Sequence, residues 1–147
     1  ETVIGFMAAL QDFERESEPN RRPGAEMASR HYAGLEKWIA GHPASGNLVA
    51  EIDGAIAGWL LFGVEEEQGF MVPEFARLTG WISDIWVEPP QRGSGIAGAL
   101  IAEAERRFAA HGIRRVHIAA VVANHRAIAF YERLGYAPYE LSLGKTL

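Results

Sequence analysis

A glycine-rich stretch between a strand-like and a helix-like segment constrains this chain more than any other part of it. Residues 81–87 have the β-branched and aromatic composition of a strand, and residues 96–111 have helical periodicity. Arg92, Gly93 and Gly95 lie between them. A helix N-terminus presents backbone N–H groups without acceptors at the positive end of its dipole, and glycine lets an anion approach closely. The stretch therefore predicts an anion site, and specifically a phosphate site.

The spacing of the loop residues separates three kinds of phosphate-binding loop. A P-loop ends in Gly-Lys followed by Ser or Thr, whereas residues 98–100 are Gly-Ala-Leu, which excludes it. Residues 93–98 match the Gly-x-Gly-x-x-Gly fingerprint of dinucleotide-binding folds. That match lacks the acidic residue expected after the next strand, and the remaining chain is too short for both halves of such a fold. A nicotinamide-dinucleotide domain stays a distant alternative.

The third pattern, Arg-x-x-Gly-x-Ala, is formed by Arg92, Gly95 and Ala97, and a second motif follows it. Residues 124–136 fit the pattern Asn-x-x-Ala-x-x-Phe-Tyr-x-x-x-Gly-Phe/Tyr. In this order the two motifs resemble the signatures of the GNAT superfamily of N-acetyltransferases, and the resemblance is close over residues 81–136. It implies an α/β (α+β) fold in which helices flank a mixed, mostly antiparallel central sheet. It also implies acetyl transfer from acetyl-CoA, as co-substrate, to a primary amine.

The resemblance assigns residues to the binding of acetyl-CoA. In the family, residues 84–87 correspond to a bulged strand whose backbone N–H groups contact the thioester and the pantetheine arm. Asn124 is expected to cap the helix that starts at His125 and to contact the pantetheine amides. The expected cofactor-binding residues are Ile85, Trp86, Val87, Arg92, Gly93, Ser94, Gly95, Ile96, Ala97, Asn124, Ala127 and Phe130.

The resemblance also points to the residues of the reaction. Tyr131 matches a tyrosine that faces the thioester sulfur in many relatives; a phenol with a pKa of about 10 keeps its proton at neutral pH and can give it to a thiolate. Asp84 lies in an apolar strand, where a carboxylate is costly unless it is used or paired. Asp84 is either the base that takes the amine proton or one member of a structural pair, for which Arg77 is the candidate partner. Glu14 and Glu18 either line an acceptor pocket or are solvated helix charges.

Composition argues against several classes of binding partner. The net charge of −5 argues against nucleic acid, and no apolar run reaches the length of a membrane span. The chain has no cysteine, and its histidines lack metal-ligand spacing, so no metal is expected. We expect a cytoplasmic protein that acetylates a small amine rather than a protein, and a homodimer is a candidate because dimers are common in proteins resembling it. A non-catalytic acyl-CoA-binding sensor is the alternative, although it would not need Tyr131.

Local patterns predict one domain over residues 1–147 and the order of its elements. Asp53-Gly54 is a strong hairpin signal, and glycines 112 and 135 end helices. Family members are expected to open with a strand, and no such stretch precedes the first helix. The predicted helices cover residues 2–17, 25–40, 96–111 and 125–134, and the predicted strands cover residues 47–52, 55–64, 78–87, 115–122 and 137–143.

Overall fold

The computed structural model describes residues 1–145, in which helices and strands follow the predicted order up to Arg133. Short 3-10 turns precede β3 (Glu74–Ala76) and α3 (Pro89–Gln91). The main elements are α1 (Thr2–Arg15), α2 (Gly24–Ile39), β1 (Gly46–Ile52), β2 (Ala55–Glu66), β3 (Leu78–Val87), α3 (Ile96–Ala110), β4 (Val116–Ile118) and α4 (His125–Arg133).

The strands form one sheet in the order β1-β2-β3-β4. The β1–β2 and β2–β3 pairs are antiparallel, and the β3–β4 pair is parallel. Asp53 and Gly54 both have positive φ (51° and 80°), as a two-residue hairpin turn requires for strands with a right-handed twist. The expected mixed, mostly antiparallel sheet flanked by helices is confirmed.

Alternate residues of β2 pack into two cores on opposite faces of the sheet. Leu60 and Phe62 pack with α3, where Phe62 and Phe108 meet edge to face at 5.3 Å between ring centroids. Trp59 and Leu61 pack on the other face with residues of α1 and α2. Because both faces are covered, β2 is apolar at successive positions instead of alternating. The sheet therefore forms the middle layer between α3 on one side and the α1–α2 pair on the other.

Two predicted strands differ from the structure. The strand expected over 115–122 ends at Ile118, because its pairing with β3 stops at the Ile82–Ile118 pair. The strand expected over 137–143 is absent from the described residues, where this segment is irregular. Tyr139 instead packs edge to face on His117, 4.5 Å between ring centroids. The segment thus contacts β4 through a side chain and adds no strand to the sheet.

Candidate active site

A cavity of about 1630 Å³ opens where β3 and β4 separate. Its walls come from α1, the loop after it, the first half of α2, the middle of β3, β4 and the irregular segment after it, α4 and the C-terminal segment. The residues with polar or reactive groups on this wall include Gln11, Glu14, Glu18, Arg21, His31, Ser83, Asp84, His125, Tyr131 and Glu132. Both residues predicted to carry the reaction, Asp84 and Tyr131, therefore border the same space.

A bulge in β3 shapes one wall of this cavity. Leu61 pairs with Asp84 and Phe62 pairs with Ile82, which leaves Ser83 as the extra residue. A bulge interrupts the hydrogen-bond ladder and bends the strand. The sequence predicted the bulge within residues 84–87, and the structure places it one position earlier. Beyond Ile82 the β3 edge facing β4 carries no strand pairing, as the predicted main-chain contacts through Ile85 and Val87 require.

Tyr131 lies on α4, half-buried beside Tyr136 and Phe130. Burial and, to a smaller extent, the negative charge of Glu14 together raise the pKa of the Tyr131 phenol to about 12. The phenol therefore keeps its proton throughout the neutral pH range. This state is the one that a proton donor needs.

Within residues 1–145, no cationic side chain forms an ion pair with the carboxyl group of Asp84. The hydroxyl of Ser83 donates a hydrogen bond of 2.6 Å to its Oδ2 atom. Burial raises the pKa of Asp84, while the Ser83 hydrogen bond and the nearby His31 lower it to a smaller extent. The alternative of a pair with Arg77 is wrong, since the Nη2 group of Arg77 donates instead to the carbonyl of Gly69 at 3.3 Å.

The glycine loop has the geometry of an anion cradle. Gly93 and Gly95 have φ of 86° and 91°, and an added Cβ at either position would meet no atom within 4 Å. Gly95 is the N-cap of α3 and provides no side chain to bond the first helical N–H groups. No acceptor within the described chain bonds the N–H groups of Gly93, Gly95, Ile96 and Ala97. These groups are therefore free to bind a pyrophosphate.

Arg92 and Ser94 make contacts within the protein. The Nε group of Arg92 donates to the carbonyl of Val87 at 3.0 Å, and its guanidinium lies 4.7 Å above the ring of Trp86. The hydroxyl of Ser94 donates to the carbonyl of Gln91 at 2.6 Å. Ser94 thus stabilises the turn of the loop, while Arg92 is held over Trp86 and keeps its positive charge beside the loop.

Asn124 caps α4 as predicted. Its Oδ1 atom accepts a hydrogen bond of 3.1 Å from the backbone N–H of Ala127. The cap fixes the start of α4 and therefore the position of Tyr131 two turns later. Asn124, Ala127 and Phe130 are not among the residues that line the cavity, so their contact with a cofactor remains a prediction.

The structure separates the predicted residues into two groups joined by β3. Asp84 borders the cavity, and residues 85–87 lead from it to the loop at residues 92–97. An elongated ligand with an anionic end at the loop and a reactive end at the cavity matches this arrangement. In the part of the chain that the structure describes, no cluster of His, Asp and Glu side chains is arranged to hold a metal ion. None of the described helices is long and apolar enough to span a bilayer.

Sequence reasoning offered Glu14 and Glu18 as residues of an acceptor pocket, and both line the cavity, but it missed Gln11 and Arg21. Gln11 is buried at 9% exposure, and Arg21 in the α1–α2 loop pairs with Glu14 at 2.7 Å. The available signal was the spacing of Met7, Gln11 and Glu14, which lie on one helix face and continue an apolar stripe with polar residues. That pattern places polar groups at the edge of a packed face.

Comparisons with known proteins identify the family and the fold. Residues 3–136 match the family model "Acetyltransferase (GNAT) family". A tetramutant protein from Bacillus halodurans superimposes with a TM-score of 0.76 at 20% identity, covering 97% of this chain and 93% of that one. The ribosomal-protein-alanine N-acetyltransferase of Brucella melitensis biovar Abortus 2308 has a TM-score of 0.64 at 22% identity, with coverages of 98% and 93%.

A third similar structure is the aminoglycoside N-acetyltransferase AAC(6')-Iy in complex with the bisubstrate analogue CoA-S-monomethyl-acetylneamine. It has a TM-score of 0.67 at 19% identity and covers 100% of this chain and 92% of its own. At these identities the solved structures show similarity of fold. The family model spans nearly the whole chain and includes both sequence motifs. This protein is therefore a member of the acetyltransferase (GNAT) family.

Proposed function

We propose that this protein transfers the acetyl group of acetyl-CoA directly to a primary amine. The observation that carries the proposal is the position of Asp84 and Tyr131 on one cavity, at the end of an open strand edge that leads to the glycine loop. A protein that only sensed acyl-CoA would need the loop but not a protonated phenol in the cavity. The structure of AAC(6')-Iy with a bisubstrate analogue, which has the same fold, supports this use of the site.

The residues of this chain fit acetyl-CoA. The free N–H groups at the start of α3 would hold the pyrophosphate, with the charge of Arg92 beside them. The backbone of Ile85 and Val87, and Asn124, Ala127 and Phe130 on α4, would hold the pantetheine arm. When bound, the co-substrate supplies an acetyl thioester, which is activated toward an amine nucleophile.

Asp84 would take a proton from the incoming ammonium or amine group. Because burial raises the pKa of Asp84, its carboxylate is a stronger base than one in water. As the new C–N bond forms and the C–S bond breaks, Tyr131 would give its proton to the leaving thiolate. Solvent then returns a proton to Tyr131 and takes one from Asp84, so the protein ends in its starting state.

The acceptor we favour is a small amine rather than a protein terminus. AAC(6')-Iy is named an aminoglycoside N-acetyltransferase, whereas the Brucella enzyme of the same fold is named for a ribosomal protein alanine. The walls of the cavity include several carboxyl groups, which suit a compact cation better than an uncharged peptide segment.

Calorimetric titration with acetyl-CoA, with NADH as the control, tests the cofactor. A panel of small amines and peptides, followed by release of free thiol, tests the reaction. We expect acetyl-CoA to bind, NADH not to bind, and at least one small amine to release thiol in an enzyme-dependent manner. Binding without release from any amine or peptide would contradict the enzyme and leave an acyl-CoA sensor.

A further inference from the structure

The polar end of the packed face of α1 borders the acceptor side of the cavity. Met7 is 2% exposed, Gln11 is buried, and the side chain of Glu14 is 26% exposed. These three residues follow one another at four- and three-residue intervals, so they lie on the same helix face. All three line the cavity. Glu14 is therefore a half-buried carboxylate on the cavity wall, unlike a solvated helix charge.

A hydrogen-bond network holds Glu14 in this position. Arg21 contacts the Oε2 atom of Glu14 at 2.7 Å and also donates to the Oε1 atom of Gln11 at 3.3 Å. The Nε2 group of Gln11 donates to the carbonyl of Arg22 at 3.0 Å, and Arg15 donates to the carbonyl of Arg21 at 2.9 Å. The loop between α1 and α2 is thus fastened onto α1, and Arg21 fixes the carboxylate of Glu14 from one side.

The charges around the cavity are not balanced by the protein. Arg21 is the one arginine bonded to Glu14 in the described structure, and no cationic side chain bonds Asp84. Burial and the charge of Asp84 raise the pKa of Glu14, while Arg21 lowers it. The lining further includes the carboxyl groups of Glu18, Glu132 and Glu140 against one more arginine, Arg115, and three histidines. A ligand that is cationic at neutral pH would offset this excess.

The chemistry of acetyl transfer decides which group of the acceptor Glu14 can hold. The reacting nitrogen must lose its proton beside Asp84 before it can attack, so a lasting ion pair to that nitrogen would slow the reaction. A carboxylate that keeps an ion pair with an ammonium group therefore suits a second amino group of the acceptor, which stays protonated and does not react. The two roles fit two carboxyl groups on different elements, Glu14 on α1 and Asp84 on β3.

Resting on the acetyltransferase function proposed above, we propose that Glu14, oriented by Arg21, determines specificity for acceptors with at least two amino groups. Glu14 binds the ammonium ion of one amino group while the other reacts beside Asp84 and Tyr131. Arg21 is a positioning residue, since it acts through Glu14.

Steady-state kinetics with matched amines test this specificity. The probes are 1,4-diaminobutane and 1,6-diaminohexane, each compared with the monoamine of the same chain length. In Glu14→Gln we expect the KM for a diamine to rise about 10- to 100-fold, the range for losing one charged hydrogen bond, with kcat nearly unchanged. The KM for a monoamine should not change. Glu16→Gln is the matched control, because Glu16 is an exposed carboxylate at the end of the same helix and is not among the residues that line the cavity.

The positioning role of Arg21 has its own readout. Arg21→Met should raise the KM for diamines less than Glu14→Gln does, and Arg21→Lys should restore part of the loss because it keeps a cation beside Glu14. Acetyl-CoA affinity should be the same in all of these variants. Equal KM values for diamines in the wild-type and Glu14→Gln proteins, or no preference for diamines over monoamines, would overturn the specificity role while leaving the acetyltransferase intact.

A binding measurement separates this inference from the proposed reaction. If no amine is acetylated, 1,4-diaminobutane is titrated into the CoA-bound wild-type and Glu14→Gln proteins. Binding to the wild-type protein that is lost in Glu14→Gln would support recognition by Glu14 although the proposed reaction had failed. Absence of diamine binding to the wild-type protein, or equal binding to both proteins, would overturn the role of Glu14.

Discussion

At the scale of the residue, the role of the Tyr131 hydroxyl as a proton donor can be tested by removing it. Tyr131→Phe removes the hydroxyl and keeps the ring that packs against Phe130 and Tyr136. We expect kcat to fall about a hundredfold, within the usual contribution of a general acid, and the affinity for acetyl-CoA to stay within about twofold. Rapid mixing for turnover and calorimetry for binding measure the two quantities. Equal losses in both would show that Tyr131 serves packing alone.

The same residue constrains the pH profile. With its pKa raised to about 12, Tyr131 stays protonated at every pH at which the enzyme can be assayed near neutrality. A fall in kcat on the basic side below pH 10 would therefore belong to another group.

The half-buried carboxyl of Asp84 links activity to stability. Burial raises its folded-state pKa above the ordinary value of an aspartate, so the folded protein favours the neutral form. The stability associated with that form is fully present below the unfolded pKa and is lost as the pH rises through the folded one. At pH 7 the ionised carboxylate therefore costs stability, which Asp84→Asn should recover while it lowers activity.

We expect Asp84→Asn to raise the melting temperature at pH 7 by about 2–5 °C, as a change of about 1 kcal/mol does in a domain of this size. The difference from the wild-type protein should shrink as the pH approaches 4. Circular dichroism melts at both pH values measure it. A variant that melts lower at pH 7 would mean that Asp84 makes a stabilising contact when it is ionised.

At the scale of the element, two glycines at the ends of α3 allow backbone strain to be distinguished from an effect on cofactor binding. Gly95 and Gly112 lie at the two ends of α3, and both have left-handed φ, 91° and 76°. Aspartate at either position strains the backbone by about 1–2 kcal/mol. Only Gly95→Asp also places a carboxylate against the proposed pyrophosphate site.

Gly95→Asp should weaken acetyl-CoA binding at least tenfold, whereas Gly112→Asp should lose stability and bind acetyl-CoA as the wild-type protein does. Calorimetric titration of both variants, below their melting temperatures, makes the comparison. Unchanged affinity in Gly95→Asp would remove the glycine loop from the cofactor site.

At the scale of the molecule, close packing of α1 on α2 holds in place the cavity wall that α1 forms. A Cβ added to Gly24 would lie 2.1 Å from the backbone oxygen of Ala8, and the N–H of Gly24 donates to Asp12 at 2.8 Å. Backbone atoms cannot move aside without separating the two helices. Gly34, on the same helix, has no atom within 4 Å of an added Cβ.

Gly24→Ala should therefore reduce the free energy of unfolding by about 1–3 kcal/mol, as overpacking does. Gly34→Ala should increase it by up to about 1 kcal/mol through helix propensity. Urea denaturation of the two variants measures both values. Equal stability of Gly24→Ala and the wild-type protein would mean that the α1–α2 contact is looser than the structure shows.

Local patterns in the sequence determined most of the fold. The Asp53-Gly54 turn, the Asn124 cap and the glycine loop each depend on residues within a few positions of one another, so their chemistry is visible in the sequence. Helical and strand periodicity gave β3 its exact bounds, residues 78–87, and placed the ends of the long helices within two residues. The two motifs likewise indicated the family and its co-substrate, acetyl-CoA.

Contacts between distant segments decided the rest. Residues 80–82 pair with residues 116–118 and no further, which ends β4 early and opens the cavity. The alternation over residues 137–143 suits a strand, but a strand forms only where a partner edge pairs with it. Whether Asp84 is paired, and whether Glu14 faces solvent or the cavity, depends on side chains far away in the chain. Hydrophobic periodicity is a property of neighbours in sequence, whereas burial and charge balance in a cavity are set by neighbours in space, which only the tertiary structure brings together.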